Sequence, residues 1–132
     1  MGDKKVRVLL TKSGLDGHDR GVRYLSQVLK ENGAEVIFTR YHVIDDAVKQ
    51  ALEEDVDIIG VSFFCGGLMY DSERLLEIKK QYGIEDRLVM VGGSITEEEG
   101  NELLAMGIDK VFRPNEGTMQ DIVDFVISSS SK

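Results

Sequence analysis

The sequence predicts an α/β fold in which a doubly wound five-stranded parallel sheet is flanked by helices, and two observations support this. Short apolar runs alternate five times with stretches whose apolar residues recur at helical spacing. No long linker interrupts the alternation, so the 132 residues are expected to form a single domain, with a frayed tail at about 128–132. Right-handed crossovers then favour the strand order 2-1-3-4-5.

The first half of the chain contains three strands and two helices. We expect strands at residues 6–10, 35–38 and 58–63, and the third is almost continuously apolar, as a central strand covered on both faces would be. Asn32-Gly33 ends the first helix with a residue that tolerates left-handed backbone. The apolar positions that mark the two helices are Val22, Leu25, Val28 and Leu29, then Ile44, Val48, Ala51 and Leu52.

The second half repeats the pattern, which completes a Rossmann-like or flavodoxin-like architecture. We expect strands at 88–91 and 110–112, and a third helix that ends at Gly83. Thr96 and Glu99 have the spacing of a capping box, which predicts the start of the fourth helix, and Gly107 closes it. The third helix is marked by Leu75, Leu76 and Ile78, and the fifth by Met119, Ile122, Val123, Val126 and Ile127.

Composition excludes several classes of function. The net charge is −8 and no basic cluster exceeds two residues, so binding to nucleic-acid phosphates is not expected. Cys65 is the only cysteine, which rules out an internal disulfide and favours a cytoplasmic protein. No apolar run approaches the roughly 20 residues that span a bilayer, so we expect no membrane association.

The stretch 14–21, Gly-Leu-Asp-Gly-His-Asp-Arg-Gly, follows the first strand and carries one of two histidines. Open α/β sheets bind ligands at the carboxyl ends of their strands, at the point where the strand order reverses. In the expected order this point lies between strands 1 and 3. The loops after strands 1, 3 and 4 should therefore converge, bringing together His18, Ser62 and the pair Gly92-Gly93.

His18 and Asp16 have the arrangement of a metal ligand and the carboxylate that holds its other ring nitrogen. Lys12 could hold Asp16 in turn, and Gly21 would let a helix start lie close to a bulky ligand. The alternative is a surface turn rich in glycine and aspartate. For Gly92-Gly93 the alternatives are a tight turn or close approach of a flat ligand to the backbone, and Ser62 could bond either a ligand or its own backbone.

A free metal ion is a poor candidate for His18. A zinc site needs three or four protein ligands, and only His18, His42 and Cys65 are available, widely separated. A calcium loop that starts at Asp16 has Gln27 instead of glutamate at its twelfth position. A single histidine ligand makes most sense if the metal is already held by a macrocycle.

The spacing of residues in the sequence excludes other functions that this fold supports. The glycines at 14, 17 and 21 do not form a dinucleotide fingerprint, and there is no phosphate-binding P-loop. A phospho-receiver domain needs an aspartate where Ser62 ends the third strand and a lysine where Arg113-Pro114 follow the fifth. A Ser-His-Asp triad is not indicated either, because Asp16 is better placed to serve His18 as a ligand.

Three motifs in order resemble the cobalamin (vitamin B12)-binding domain family over nearly the whole chain. The family motif D-x-H-x-x-G is met by Asp16, His18 and Gly21, its serine after strand three by Ser62, and its paired glycines by Gly92 and Gly93. Residues 8–21 are most similar to the first loop in the small subunit, or carboxyl-terminal domain, of methylmalonyl-CoA mutase and related acyl-CoA mutases.

The resemblance implies how the cofactor would be held. Its dimethylbenzimidazole base leaves cobalt and enters the domain, and His18 becomes the lower axial ligand of cobalt. Ser62 would hydrogen-bond the displaced base, while Asp16, backed by Lys12, would tune the histidine. The full set of cofactor-binding residues that the resemblance implies is Lys12, Gly14, Asp16, Gly17, His18, Asp19, Arg20, Gly21, Ser62, Phe64, Gly92, Gly93, Pro114, Gly117 and Thr118.

The sequence departs from the family pattern at one position: Phe64 replaces the leucine of the usual Ser-x-Leu after strand three. This change leaves two alternatives open for the lower base: dimethylbenzimidazole, or another base in a reshaped pocket. Because the first loop is rich in glycine, we also expect it to be mobile without cofactor.

By the same resemblance, the chain is the small subunit of an adenosylcobalamin-dependent acyl-CoA mutase. Such enzymes carry out a radical rearrangement of the carbon skeleton that starts with homolysis of the cobalt–carbon bond. The chain contains no acyl-CoA-binding barrel, so a large subunit would supply it, and the chain alone would be inactive. The alternatives are a corrinoid carrier for methyl transfer, a cobalamin-responsive module, or a flavodoxin-like protein that binds no corrinoid.

Overall fold

A computed structural model describes residues 5–13, 20–63, 67–113 and 119–129. Five strands alternate with five helices in these ranges, as the sequence predicts. None of these helices combines the length and apolar character that crossing a lipid bilayer requires. The elements are β1 (Arg7–Ser13), α1 (Arg20–Glu31), β2 (Glu35–Tyr41), α2 (Ile44–Glu53), β3 (Ile58–Phe63), α3 (Leu68–Gln81), β4 (Leu88–Gly93), α4 (Glu97–Met106), β5 (Lys110–Phe112) and α5 (Met119–Ser128).

The strands form one parallel sheet in the order β2-β1-β3-β4-β5, which confirms the predicted topology. β1 and β3 are neighbours although they are not consecutive in the chain, so the strand order reverses between them. The helices that follow them in the chain, α1 and α3, pack on opposite faces of the sheet. The fold therefore positions the predicted site where such sheets bind ligands.

The apolar core has two layers, one on each face of the sheet. On one face the buried residues of α2, α3 and α4 pack together, with Val48, Leu75 and Leu103 fully buried. On the other face α1 and α5 pack on the sheet through Leu29, Val123 and Val126. Leu52 has the spacing of the α2 stripe but is 41% exposed, because it lies at the end of the helix beyond the packed face.

The predicted helix ends are confirmed. Thr96 Oγ1 accepts a hydrogen bond from the Glu99 amide at 3.1 Å, and the Glu99 carboxylate accepts one from the Thr96 amide at 3.0 Å. This reciprocal pair satisfies two amides at the start of α4. Gly33, Gly83 and Gly107, the predicted stops, all have positive φ.

Strand ends are where the prediction differs from the structure. β1 continues three residues beyond Leu10, because Thr11, Lys12 and Ser13 pair with β2 and the first two of them also pair with β3. Gly92 and Gly93, predicted to follow β4, are instead its last two residues. Pairing with both neighbouring strands extends a central strand through polar residues that sequence patterns assign to loops.

Candidate functional site

A cleft of about 190 Å³ lies near the carboxyl edge of the sheet, between the sheet and the first turns of α1 and α5. We call it the α1–α5 cleft. Its walls are largely apolar, and glycines line both the sheet side and the start of α1. The lining residues are Leu10, Thr11, Gly21, Val22, Leu25, Gly60, Val61, Ser62, Met90, Val91, Gly92, Gly93, Phe112, Met119 and Ile122.

One row of the sheet brings several predicted site residues together. Lys12 of β1 pairs with Ser62 of β3, which pairs with Gly92 of β4, which pairs with Phe112 of β5. Paired residues of neighbouring strands face the same side of a sheet. Ser62, Gly92 and Phe112 line the cleft, so this row forms its upper wall.

Lys12 is fully buried at the carboxyl end of β1, which is unusual for a lysine. Lysine side chains are almost never fully buried unless their charge is paired. Asp16, the partner predicted from the sequence, lies outside the described residues. Since β1 is a central strand, its end holds the Lys12 side chain beside the switch point rather than in solvent.

Gly21 and Gly92 keep the cleft open, although the backbone conformation at these two positions does not require glycine. A Cβ added at Gly21 would meet no atom within 4 Å, and one at Gly92 would lie 3.5 Å from the Phe112 carbonyl oxygen, an ordinary contact. Both residues line the cleft. Their missing side chains therefore leave space that the folded chain does not itself need.

Gly93 has a different role. Its φ is +124°, and a Cβ there would lie 2.1 Å from the carbonyl oxygen of Phe63. That same oxygen accepts a hydrogen bond from the Ser94 amide at 2.9 Å. The close approach of β3 and β4 at their ends thus depends on glycine at this position.

The sequence reasoning missed most of the apolar wall. Phe112 is held by an edge-to-face contact with Phe125 of α5, with ring centroids 6.2 Å apart, and the Lys110 ammonium lies 5.8 Å from its ring centroid. Met119 and Ile122, which the sequence analysis uses only to mark the apolar stripe of the fifth helix, line the cleft. Gly60 was the available signal, since a glycine inside an apolar strand marks close approach of another group.

Nine of the predicted site residues lie outside the described residues, and His18 is among them. Arg20 is described and is the exposed first residue of α1. Among the residues with described structure, no group of three histidine, cysteine or acidic side chains could hold a metal ion. The nine residues are Gly14, Asp16, Gly17, His18, Asp19, Phe64, Pro114, Gly117 and Thr118.

A second cavity, of about 460 Å³, lies on the opposite side of the carboxyl edge, over the start of α3. It is lined in part by Leu68, Met69 and Tyr70, and Tyr70 is 73% exposed. Glu99, its one charged lining residue, is already engaged in the α4 capping box. The α1–α5 cleft, which contains Gly21, Ser62, Gly92 and Gly93, is therefore the better candidate site.

Residues 6–123 match the family model of the B12 binding domain. Among curated proteins, the pivalyl-CoA mutase small subunit of Xanthobacter autotrophicus is 39% identical over 132 residues, covering 99% of this chain and 88% of that protein. The 2-hydroxyisobutanoyl-CoA mutase small subunit of Aquincola tertiaricarbonis is 34% identical, covering 84% of this chain and 82% of that protein.

The same match extends to longer proteins and to a solved structure. The methylmalonyl-CoA mutase of Cereibacter sphaeroides is 30% identical over 84% of this chain, which spans 16% of that protein. A cobalamin-binding protein from Desulfitobacterium hafniense superposes with a TM-score of 0.78, at 20% identity, over 96% of this chain and 60% of that one. The likeness to that structure supports the fold, and the resemblance to mutase small subunits predicted from the sequence is confirmed.

Proposed function

This chain belongs to the B12-binding domain family, and we propose that it is the cobalamin-binding small subunit of an adenosylcobalamin-dependent acyl-CoA mutase. The observation that carries the proposal is the α1–α5 cleft, whose sheet wall contains Ser62 and Gly92 in one row. Its resemblance to the small subunits of two acyl-CoA mutases supports the same role.

The cleft fits one part of the cofactor, the lower base with its nucleotide tail. Its volume of about 190 Å³ is below the roughly 300–1,000 Å³ typical of sites that enclose a whole drug-sized ligand. Apolar walls suit the faces of a flat aromatic ring, and the glycines at 21 and 92 leave room beside it. The cleft would therefore hold the base of the cofactor.

We propose that His18 would ligate the cobalt of the bound cofactor. Residues 14–19 join the end of β1 to the start of α1, two elements that border the cleft. In the motif, Asp16 would hold the second ring nitrogen of His18 and fix its tautomer, as carboxylates do for metal-bound histidines. The buried Lys12 would orient Asp16 in turn. Gly14, Gly17, Asp19 and Arg20 would contact the cofactor from the same connection, Phe64 from the end of β3, and Pro114, Gly117 and Thr118 from the connection before α5.

The bound cofactor supplies the radical chemistry of the rearrangement. The residues of this chain bind and position the cofactor, and we assign none of them to acid or base catalysis on the substrate. A separate large subunit would bind the acyl-CoA. Which acyl-CoA it binds is a property of that subunit.

The test is a visible spectrum after adenosylcobalamin has been mixed with the purified chain and excess has been removed by gel filtration. We expect co-eluting corrinoid with the spectrum of the base-off form. His18→Ala should lose at least about 10-fold in affinity, as expected when a metal ligand is removed. His42→Ala is the matched control, because His42 is the other histidine, is exposed and follows β2.

Equal retention by His18→Ala and the unchanged chain would contradict the ligand assignment. If the chain alone retains no corrinoid, the experiment is repeated with a candidate large subunit. Failure to retain corrinoid there would contradict the proposed function. Mutase turnover by the isolated chain would contradict the two-subunit arrangement.

A further inference from the structure

The carboxyl edge of the sheet has a corner where apolar side chains stay exposed, at the starts of α2 and α3. Each helix returns antiparallel to the strand before it, so its first turn lies at this edge. Tyr70, in the first turn of α3, is 73% exposed, and Val43, which precedes α2, is 56% exposed. Together with the half-buried Met69 they form what we call the α2–α3 corner.

Polar contacts hold the starts of α2 and α3 beside each other. The Tyr41 hydroxyl, at the end of β2, donates a hydrogen bond to the Asp71 carboxylate of α3 at 2.9 Å. The Arg74 guanidinium of α3 donates two hydrogen bonds to the Asp45 carboxylate of α2, at 3.1 and 2.8 Å. The exposed apolar residues that flank these contacts therefore belong to one surface of the folded chain.

The second cavity, of about 460 Å³, lies at this corner, and Met69 and Tyr70 line it. A single exposed apolar side chain on a protein surface needs no explanation. Exposed aromatic and methionine side chains beside a cavity, however, have the anatomy of the core of a protein–protein interface, where side chains of the partner fill such pockets. The α2–α3 corner therefore has the properties of a docking surface.

The charges around the corner have one sign. Acidic residues in first turns stabilise helices, and three of those at this edge already bond to Arg74, Tyr41 or Thr96. Asp46 and Glu98 are exposed and make no ion pair within the described part of the chain. The first turns of α2, α3 and α4 contain six carboxylates and no basic residue: Asp45, Asp46, Asp71, Glu97, Glu98 and Glu99.

We propose, on the basis of the proposed function, that the α2–α3 corner docks the large subunit. The large subunit would insert an apolar side chain into the second cavity and surround it with basic residues. A second copy of this chain fits poorly, because a two-fold contact through the corner would bring its carboxylates opposite each other.

This docking surface is separate from the α1–α5 cleft, because the second cavity lies on the opposite side of the carboxyl edge. The contact joins protein to protein, so it does not need the cofactor. The two subunits should therefore associate before corrinoid binds.

The experiment is isothermal titration calorimetry of the chain, without corrinoid, with a large subunit that gives mutase turnover when combined with the unchanged chain and adenosylcobalamin. Tyr70→Ser should weaken association by at least about 10-fold, because it removes the exposed ring beside the cavity. Tyr24→Ser is the matched control, because Tyr24 is 59% exposed but belongs to α1, on the other face of the sheet. It should bind like the unchanged chain.

The charge of the partner is tested by salt. Association of the unchanged chain should weaken as the salt concentration rises. Glu98→Gln should lower the affinity at low salt by roughly 2- to 3-fold and reduce the dependence on salt. Glu53→Gln removes the same charge from the other end of α2 and should change neither quantity.

Four results would overturn the inference: full affinity of Tyr70→Ser, equal weakening by Tyr24→Ser, the same dependence on salt in Glu98→Gln as in the unchanged chain, or association that requires corrinoid. Self-association of the chain that Tyr70→Ser abolishes would also overturn it, since a second copy would then occupy the corner. None of these results would touch the proposed function, because turnover with the large subunit would still be observed. Absence of both corrinoid retention and turnover with candidate large subunits would overturn both.

Discussion

At the scale of single residues, two adjacent glycines at the end of β4 serve different purposes. Gly93 lets the backbones of β3 and β4 approach, because a side chain there would collide with the Phe63 carbonyl oxygen. Gly92 is in ordinary contact with its surroundings and leaves space in the cleft. The sequence presents them as one Gly-Gly pair, so only the structure separates a folding role from a spatial one.

The pair can be tested by alanine substitution at each position. Gly93→Ala should lower the free energy of unfolding by about 3 kcal/mol or more, from positive φ and the backbone collision together. Gly92→Ala should change it by less than about 1 kcal/mol, but its methyl group should weaken corrinoid binding. Urea unfolding of both variants is the measurement, and similar losses of stability would contradict the separation.

At the scale of elements, a buried lysine ties α3 to the segment before β4. Lys79 lies in the last turn of α3, and its Nζ donates a hydrogen bond to the Arg87 carbonyl oxygen at 2.5 Å. Burial lowers the pKa of the Lys79 ammonium below its ordinary value of 10.5, although the carboxylates of Asp109, Asp86 and Glu85 oppose the shift. Burial of the charged ammonium thus lowers the stability of the folded chain.

This cost predicts how stability depends on pH. Between the lowered pKa in the folded chain and the ordinary value of 10.5, the unfolded chain binds more protons at Lys79 than the folded chain does. The contribution of Lys79 to the free energy of unfolding therefore rises with pH across this window. This gain in stability is lost as pH falls through the lowered pKa.

Urea unfolding of the unchanged chain and of Lys79→Met, at neutral and alkaline pH, provides the test. The stability of the unchanged chain relative to Lys79→Met should increase with pH. Lys80→Met is the control, because Lys80 is the exposed neighbour in the same turn and should leave the pH dependence unchanged. If the difference in free energy of unfolding between the unchanged chain and Lys79→Met is the same at both pH values, burial of Lys79 does not lower its pKa in the folded chain.

Elements were predictable from the sequence where local chemistry decides them. Thr96 and Glu99 form the capping box that their spacing indicates, and the strand Lys110–Phe112 has the predicted bounds. β1 was not predictable beyond Leu10, because pairing with two neighbouring strands, rather than residue type, carries it through Lys12. The apolar wall of the cleft was also not predictable, because the helical spacing of Ile122 is the same for a core residue and for a residue that lines a pocket.

At the scale of the whole molecule, the sheet separates two faces with different tasks. The face under α2, α3 and α4 is a continuous apolar core. The face under α1 and α5 is open at its carboxyl end, where the cleft enters between the two helices and the sheet. Occupying the cleft should therefore stabilise α1 and α5 first, while the opposite layer responds only through global stability.

Amide hydrogen exchange with and without adenosylcobalamin tests this division. A ligand at 100 times its dissociation constant stabilises the folded chain by about 2.7 kcal/mol. We expect slower exchange in the first turns of α1 and α5 and at the ends of β3 and β4. The helices α3 and α4 should keep their local exchange rates, because they pack on the other face.

The same experiment also distinguishes binding in the α1–α5 cleft from binding in the second cavity. It lies over the start of α3, so a cofactor bound there would slow exchange around residues 67–70 and leave α5 unaffected. That result would contradict the assignment of the base to the α1–α5 cleft. Adenosylcobinamide supplies the control: it has no base to enter the cleft, so it should protect α5 less than adenosylcobalamin does. Equal protection of α5 by both corrinoids would mean that contacts of the corrin ring, and not the buried base, order this side of the molecule.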